Sequence, residues 1–258
     1  MMPDRPRPAV RTSPAVTVVI AVYNSAAYLA DAIGSVIDQS FDDWEAIVVD
    51  DSSTDASFSI ASEIARRDGR VHVVRLEQNR GPAVARNVAI RSARGRYIAF
   101  LDSDDQWLPD KLERQIGFMR ENSYAFTCTY YEKVTETGER TGKIVAPPAR
   151  LDYADMLKSN RVGCLSAVYD CVEMGKVYMP LILKRQDYGL WLELLKRVEF
   201  VHCVPEVLAL YRVRTNSLST NKLEMLNYNW QLFRRVERLS PWASFYYLGW
   251  NILRKVIE

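Results

Sequence analysis

Two carboxylates two residues apart, Asp102 and Asp104, follow the apolar run Ile98-Ala-Phe-Leu101 and are the first residues in this chain that invite a chemical reading. Carboxylates delivered together at the end of a strand repel one another unless a cation or hydrogen-bond donors offset their charge. Magnesium and manganese are the hard, oxygen-seeking ions that such a pair selects, usually together with phosphate oxygens of a substrate. An Asp-x-Asp spacing also arises by chance, and Asp is a good cap for a helix such as one starting near Pro109. The pair alone therefore leaves a metal site and a loop-and-cap role equally open.

Three other clusters of polar residues follow short apolar runs. The first is Tyr23-Asn24, the second Asp50-Asp51-Ser52-Ser53-Thr54-Asp55, and the third combines Asn79-Arg80-Gly81 with Ala85-Arg86-Asn87. A tyrosine face stacks on a base, an Asp accepts an imide N–H, and Arg80 or Arg86 balances phosphate charge. No G-x-G-x-x-G follows the first run and no G-x-x-x-x-G-K-[ST] loop occurs, which argues against a nicotinamide enzyme and against a P-loop.

The elements that position these clusters alternate. Runs rich in β-branched residues at 16–22, 45–50, 71–76 and 97–101 read as strands, and 26–38, 55–67 and 82–92 carry apolar residues at helical spacing, the first two after good capping residues. This is the sequence form of βαβ units and a mostly parallel, Rossmann-like sheet flanked by helices. The C-terminal ends of such strands are where ligands bind, so the four clusters form one constellation. Beyond residue 106 the order changes to a helix over 109–121, a hairpin around Gly138 and Gly142, a helix over 152–158, and mixed short elements up to Val213.

The chain has 258 residues, 48% of them hydrophobic and 26% charged, the composition of a soluble globular enzyme of one or two domains. Its net charge of +2 is too small to argue for nucleic acid. Cys128, Cys164, Cys171 and Cys203 lack C-x-x-C spacing and a nearby His pair, so reduced thiols are expected rather than a zinc site or a disulfide framework. Residues 1–14, rich in Pro and Arg, read as a disordered tail without the apolar segment of a signal peptide. No run reaches the roughly 18 apolar residues of a membrane span, so a chain that neither leaves the cytoplasm nor crosses a bilayer is expected. His72 and His202 lie in apolar runs and are read as packed structural histidines.

Thr17-Val-Val-Ile-Ala-Val-Tyr-Asn24, Val48-Val-Asp-Asp-Ser-Ser-Thr-Asp55, Asn79-Arg-Gly81, Ala85-Arg-Asn87 and Phe100-Leu-Asp-Ser-Asp-Asp105, in this order and spacing, resemble glycosyltransferase family 2, the inverting transferases of the A-type glycosyltransferase fold. The resemblance covers residues 16–221. It implies that Tyr23 packs on a uracil that Asp51 hydrogen-bonds, that Asp102 faces the ribose and the metal's outer shell, and that Asp104 ligates Mn2+ or Mg2+. Ala21, where relatives often have Pro, and Asn24 join the nucleotide side, and Arg80 or Arg86 meets the base or diphosphate. Ser52 stands where Gly is common. The resemblance further implies a base in Arg185-Gln-Asp-Tyr-Gly-Leu-Trp191, where Gln186 replaces a frequent Glu and Asp187 is the candidate; Asp187 also suits the N-cap of a helix over 188–197. In Leu210-Tyr-Arg-Val-Arg-Thr-Asn-Ser-Leu-Ser219, Arg214 occupies a position where many relatives have His, and because arginine cannot ligate a cation, Arg212 or Arg214 is expected on phosphate oxygens. The absence of Q-x-x-R-W argues against a processive polymerase.

The implied reaction is one in-line displacement at the anomeric carbon of a UDP-sugar, turning an α-linked donor into a β-linked product, with residues 15–106 binding the nucleotide-sugar and 107–221 the acceptor. A nucleotide-sugar-binding module without catalysis and a sugar-phosphate nucleotidyltransferase are the competing classes. The first is opposed by Asp187, the second by Asn24-Ser-Ala-Ala-Tyr28 in place of a glycine-rich basic loop. Residues 222–258 carry six basic against three acidic residues and an uncharged, aromatic stretch over 240–253 bounded by Arg234, Arg235, Arg238, Arg254 and Lys255. That pattern fits an amphipathic helical extension lying on an anionic membrane surface, or a helix docked on protein. With the membrane reading come a glycan acceptor linked to a polyprenyl diphosphate, a place at the inner face of the plasma membrane, and synthesis of O-antigen, capsule or a related polysaccharide; a homodimer is left open.

Overall fold

The computed structural model describes residues 13–214 and 222–257. The chain runs β1 (Val16–Val22), α1 (Leu29–Ile37), β2 (Trp44–Asp50), α2 (Ser57–Arg67), β3 (Val71–Arg75), α3 (Pro82–Ser92), β4 (Tyr97–Asp102), β5 (Gln106–Trp107) and α4 (Lys111–Asn122). It continues through β6 (Phe126–Val134), β7 (Arg140–Val145), β8 (Arg150–Leu151), α5 (Tyr153–Lys158), a 3-10 turn (Cys164–Ser166), β9 (Val168–Asp170) and α6 (Cys171–Met174). The last elements are α7 (Gln186–Leu195), β10 (Val201–Arg212), α8 (Lys222–Gln231), a π-helical turn (Leu232–Val236) and α9 (Pro241–Ile257).

One sheet orders its strands β3-β2-β1-β4-β9-β6-β10-β5, with β7 on β6 and β8 on β10. The first four strands are mutually parallel, joined by helical crossovers; β9 then enters antiparallel between β4 and β6. The runs β1, β2 and β4 are buried almost throughout, and the strand period of two divides them between two cores. Val18, Ile20, Ala46, Val48, Ala99 and Leu101 pack under α1 and α4. Val19, Ile47, Val49, Ile98 and Phe100 pack under α3, α5 and α7. Phe100 meets Trp191 of α7 edge to face at 5.3 Å, which ties the second half of the chain to the central strands. The same alternation puts Asp102 on the α3 and α7 side, two residues beyond Phe100.

Several expected elements shift. The helix expected over 26–38 starts at Leu29 without a side-chain cap, because the carboxylate of Asp55 bonds the Ala26 N–H at 3.0 Å and the Ser57 N–H at 2.9 Å, clamping two loops. The mixed short elements expected before Val213 include one long strand, β10, bulged near Pro205, which pairs parallel with β6 as far as Arg212 opposite Val134. His72 is exposed on edge strand β3 with Arg94 at 3.2 Å, whereas His202 stacks on Tyr124 at 3.5 Å between ring centroids. An edge position leaves one face of a strand to solvent, so His72 is not the packed histidine expected. The expected tail over 1–14 lies, except for its last two residues, outside the described residues.

Candidate active site

The side expected to meet the nucleotide is built by loops after β1, β2 and β3. Asn24 and Ser52 both take positive φ, 49° and 61°, a conformation Asn tolerates well and Ser less so. Ser52 thus occupies a turn that glycine would enter freely. The loops are clipped together: Asn24 N–H donates to Ser53 Oγ at 3.0 Å and Thr54 N–H donates to Asn24 Oδ1 at 2.9 Å. Above them the Tyr23 ring is half exposed, with its face open for stacking. Asp51, almost fully buried, accepts the N–H of Arg80 at 2.8 Å and that of Gly81 at 2.7 Å. Its carboxylate therefore holds the turn that starts α3 and supplies the charge that the positive end of that helix favours. Gly81 carries φ 86°, which explains glycine there.

The carboxylate side forms where β4 ends. Asp102 is ion-paired with the buried guanidinium of Arg86, which α3 points inward. Cys164 of the 3-10 turn and Asp187 are both electrostatic neighbours of Arg86 and Asp102. Burial lowers the proton affinity of Arg86, but Asp102, Cys164 and Asp187 together outweigh it, so the guanidinium stays charged. Asp187 is held above the usual carboxylate range by burial and by Asp102, with Arg86 and Arg185 opposing. It lies inside the first turn of α7, one residue after Gln186, with Arg185 in a left-handed conformation at φ 67° before it. The expected N-cap role thus falls away, because the helix starts two residues earlier than the capping pattern suggests, with Arg185 at the cap.

Asp104 and Asp105 turn the other way. Arg214 Nη1 meets Asp104 Oδ2 at 3.1 Å, and Arg212 Nε donates to the Asp104 carbonyl at 2.9 Å. Arg212 N–H donates to Asp105 Oδ1 at 2.8 Å. Both guanidiniums lie over the Tyr28 ring, 5.0 and 4.9 Å from its centroid, and the Tyr28 hydroxyl donates to Glu136 Oε1 at 2.8 Å. Burial and the neighbouring Asp102 raise Asp104, against Arg214; Asp105 is raised further by burial, Asp102 and Asp104.

Of the residues singled out in the sequence, Asp102, Arg86 and Asp187 converge, as do Asp104, Arg212 and Arg214. Ala21 sits in β1 in register with Asp102. Arg80 separates from this group: its side chain is exposed on the outer side of α3. Residues 215–219 of the arginine-bearing segment lie outside the described residues. Cys164, Tyr28, Asp105 and Arg185 join the site without having been singled out. Asp105 is adjacent in sequence to the pair, but nothing local marks Cys164 or Tyr28, which arrive through packing. Buried polar atoms without a protein partner gather here too, among them Arg86 Nε, Asp105 Oδ2, Arg185 Nε and Gln186 Oε1.

No cluster of three or more His, Cys, Asp or Glu side chains suited to a metal occurs among the described residues. Magnesium and manganese sites in phosphate-handling enzymes often use only one or two carboxylates plus substrate phosphates and water. The mutually repelling carboxylates of Asp102, Asp104 and Asp105 fit that donor set, since a cation would offset the repulsion that raises Asp104 and Asp105.

A sequence model of Glycosyl transferase family 2 matches residues 17–168. The chain belongs to glycosyl transferase family 2. It is 45% identical over 226 residues to the glycosyltransferase TuaG of Bacillus subtilis (strain 168), assigned provisionally to teichuronic acid biosynthesis, with 88% of this chain and 90% of that protein covered. It is 35% identical over 235 residues, 90% of each chain, to the UDP-Glc:alpha-D-GlcNAc-diphosphoundecaprenol beta-1,3-glucosyltransferase WfgD of Escherichia coli. The crystal structure of S. aureus TarS 1-349 in complex with UDP-GlcNAc superposes with a TM-score of 0.69 at 20% identity, covering 90% of this chain and 70% of that one. The transferase therefore has the A-type glycosyltransferase fold, with its central sheet flanked by helices.

Proposed function

We propose that this enzyme transfers a sugar, with inversion, from a UDP-sugar to a hydroxyl of a glycan acceptor carried on a polyprenyl diphosphate, in the synthesis of an envelope polysaccharide. The observation that carries the reading is the half-buried carboxyl of Asp187 beside the Arg86–Asp102 ion pair, at the strand ends where the donor would lie. Asp187 takes the proton of the acceptor hydroxyl as it attacks, and burial raises its proton affinity above that of an ordinary carboxylate, the direction a general base requires. Tyr23 stacks on the uracil, which Asp51 bonds, while Asn24 and Ala21 shape the floor beneath the nucleotide. Asp104 would hold Mn2+ or Mg2+ with Asp102 in its outer shell, and such an ion supplies charge stabilisation to the departing UDP. Arg212 and Arg214 neutralise the phosphate side once Asp104 is shared with a cation. The relative WfgD, named for a UDP-Glc donor and a diphosphoundecaprenol acceptor, supports donor and acceptor classes.

The C-terminal helix supports a peripheral position at the inner membrane face. No helix among the described residues is long and apolar enough to cross a membrane. In α9, however, the side chains facing the protein include Ser244 and Asn251, and those facing out are Trp242, Phe245, Tyr246, Ile252 and Leu253, Trp242 at 84% exposure. Asn251 is held inward by bonds to the carbonyls of Leu157 at 3.0 Å and Tyr247 at 2.8 Å. An aromatic stripe turned outward at helical spacing suits the headgroup level of a bilayer, with Arg234 and Arg235 of the preceding turn for anionic lipid. The side chains of Arg254 and Lys255 lie outside the description.

The test is metal-dependent UDP release across a panel of UDP-sugars. Asp187→Asn should lower transfer by about 10²–10⁴-fold, the range of a lost general base, while UDP affinity stays within a few-fold. Lost UDP affinity with residual turnover would overturn the role of Asp187. Asp104→Ala should remove metal-dependent UDP binding, and full activity of the wild-type enzyme in a chelator would refute the cation.

A further inference from the structure

Arg80 and Arg86 lie six residues apart and face opposite ways. Arg86 is inside, on Asp102; Arg80 stands at the mouth of an apolar cleft on the outer side of α3. The cleft, about 470 Å³, runs along Val84, Val88 and Arg91 of α3 on one wall, with Tyr178, Met179 and Leu181 on the other. A smaller space of about 260 Å³ bounded by Arg80, Pro82, Val84, Leu181 and Leu183 continues it, sharing Arg80, Val84 and Leu181. The first volume alone lies within the ~300–1,000 Å³ of ordinary ligand pockets.

The outer wall is fixed, and it is fixed to the site. Asn87 Nδ2 donates to the Met179 carbonyl at 2.9 Å and Asn87 Oδ1 accepts the Met179 N–H at 2.8 Å, which pins residues 178–183, a strap between α6 and α7, to α3. Pro180 rests against Gly189, where an added Cβ would come within 2.5 Å of Pro180 Cγ, so the strap packs on the first turns of α7, two residues from Asp187. Yet this anchored strap leaves Leu181 and Leu183 mostly exposed, at 72% and 60%. At the site end, the Arg80 backbone is held by Asp51, and its guanidinium has no partner among the described residues.

The helical wall from Val84 to Arg91 is about 10 Å long by the rise of α3, and an exposed arginine stands at each end of the cleft; Arg80, at the end nearest the base, with Val84, Val88, Met179 and Leu181 beyond it, gives the charge and polarity order of a polyprenyl diphosphate. We propose that this cleft seats the first isoprene units of the acceptor's lipid carrier, with Arg80 facing its diphosphate. The proposal rests on the acceptor class proposed above and adds where that acceptor lies. Its sugar would then lie between Arg80 and Asp187, and Arg80 serves the acceptor rather than UDP.

The test compares transfer by the full chain to two acceptors, GlcNAc-α-diphosphate esterified with farnesol or with methanol, using the donor selected by the UDP-sugar panel. The wild-type enzyme should show a KM at least tenfold lower for the farnesyl ester. Leu181→Asp, at an exposed position, should bring the two KM values within about threefold of each other while leaving kcat for the methyl ester and KM for the UDP-sugar unchanged. Arg80→Gln should raise both acceptor KM values and keep their ratio. Equal KM values in the wild type, or an undiminished ratio in Leu181→Asp, would overturn the cleft assignment while leaving the acceptor class standing. Transfer to glycans without diphosphate, and to neither ester, would overturn the acceptor class and the cleft with it.

Discussion

Lys111 at the start of α4 is fully buried, and burial pushes its ammonium down to about 7. Its Nζ donates to Gln115 Oε1 at 2.7 Å and lies 4.1 Å from the centroid of the Trp107 ring, both neutral partners. The unfolded chain holds this proton up to pH 10.5 and the folded chain only to about 7. Between those values the unfolded state binds more protons, so stability rises with pH, and below about 7 the full cost is present. At about 1.36 kcal/mol per pH unit that cost is roughly 5 kcal/mol at pH 6 and roughly 2 kcal/mol at pH 9. Lys111→Met removes it and leaves Gln115 Oε1 without its donor, a loss of about 2 kcal/mol that does not vary with pH. The variant should therefore be about 3 kcal/mol more stable than wild type at pH 6 and near parity at pH 9. Urea unfolding followed by circular dichroism at pH 6, 7.5 and 9 measures the difference, provided the slopes with urea agree. A constant offset between the two proteins across that range would refute the reasoning. Activity should survive the change, since Gln115 still holds the Ser166 carbonyl at 2.9 Å and with it the turn that carries Cys164.

Asp51→Asn keeps one acceptor for the Arg80 and Gly81 N–H groups and sets an NH2 against the other; a loss of about 2–3 kcal/mol is expected, read as a fall in melting temperature with weaker UDP binding. Unchanged melting would mean that Asp51 does not hold the α3 turn. Gly189→Ala forces its Cβ to within 2.5 Å of Pro180 Cγ; about 1–3 kcal/mol of stability and a larger share of kcat than of UDP affinity should be lost, and normal turnover would show that the strap does not position α7. With Asp187 as the proposed base, its raised proton affinity should put the acid limb of kcat above the ordinary carboxylate value of about 3.9, because a deprotonated base is lost as pH falls. Replacing the opposing cation in Arg86→Gln should move that limb to higher pH, and a limb that stays put would separate Asp187 from Arg86.

How much of this protein is legible in the sequence follows from which forces are local. The β-branched runs declare β1, β2 and β4 and, through their period of two, assign side chains to two cores; α3 is bounded as read because Gly81 and Pro82 set its start. The family motifs fall at the C-terminal ends of these strands for the same reason. Tertiary packing decided the rest. Arg214 reaches Asp104 across 110 positions of sequence, and no local signal encodes that meeting. Arg80 and Arg86 are equal candidates in the sequence, yet Arg80 falls in the turn before α3, held by Asp51 with its side chain exposed, while the phase of α3 against the sheet sends Arg86 onto Asp102. In α9 the composition announces an apolar helix but not its orientation: Asn251 finds the Leu157 carbonyl, and that bond turns the polar side inward and leaves the aromatic stripe outside. Residue type and spacing set what chemistry is available, because propensity and hydrophobic period act within a few residues. Which groups meet is set by helix phase and strand order, which only the assembled core fixes.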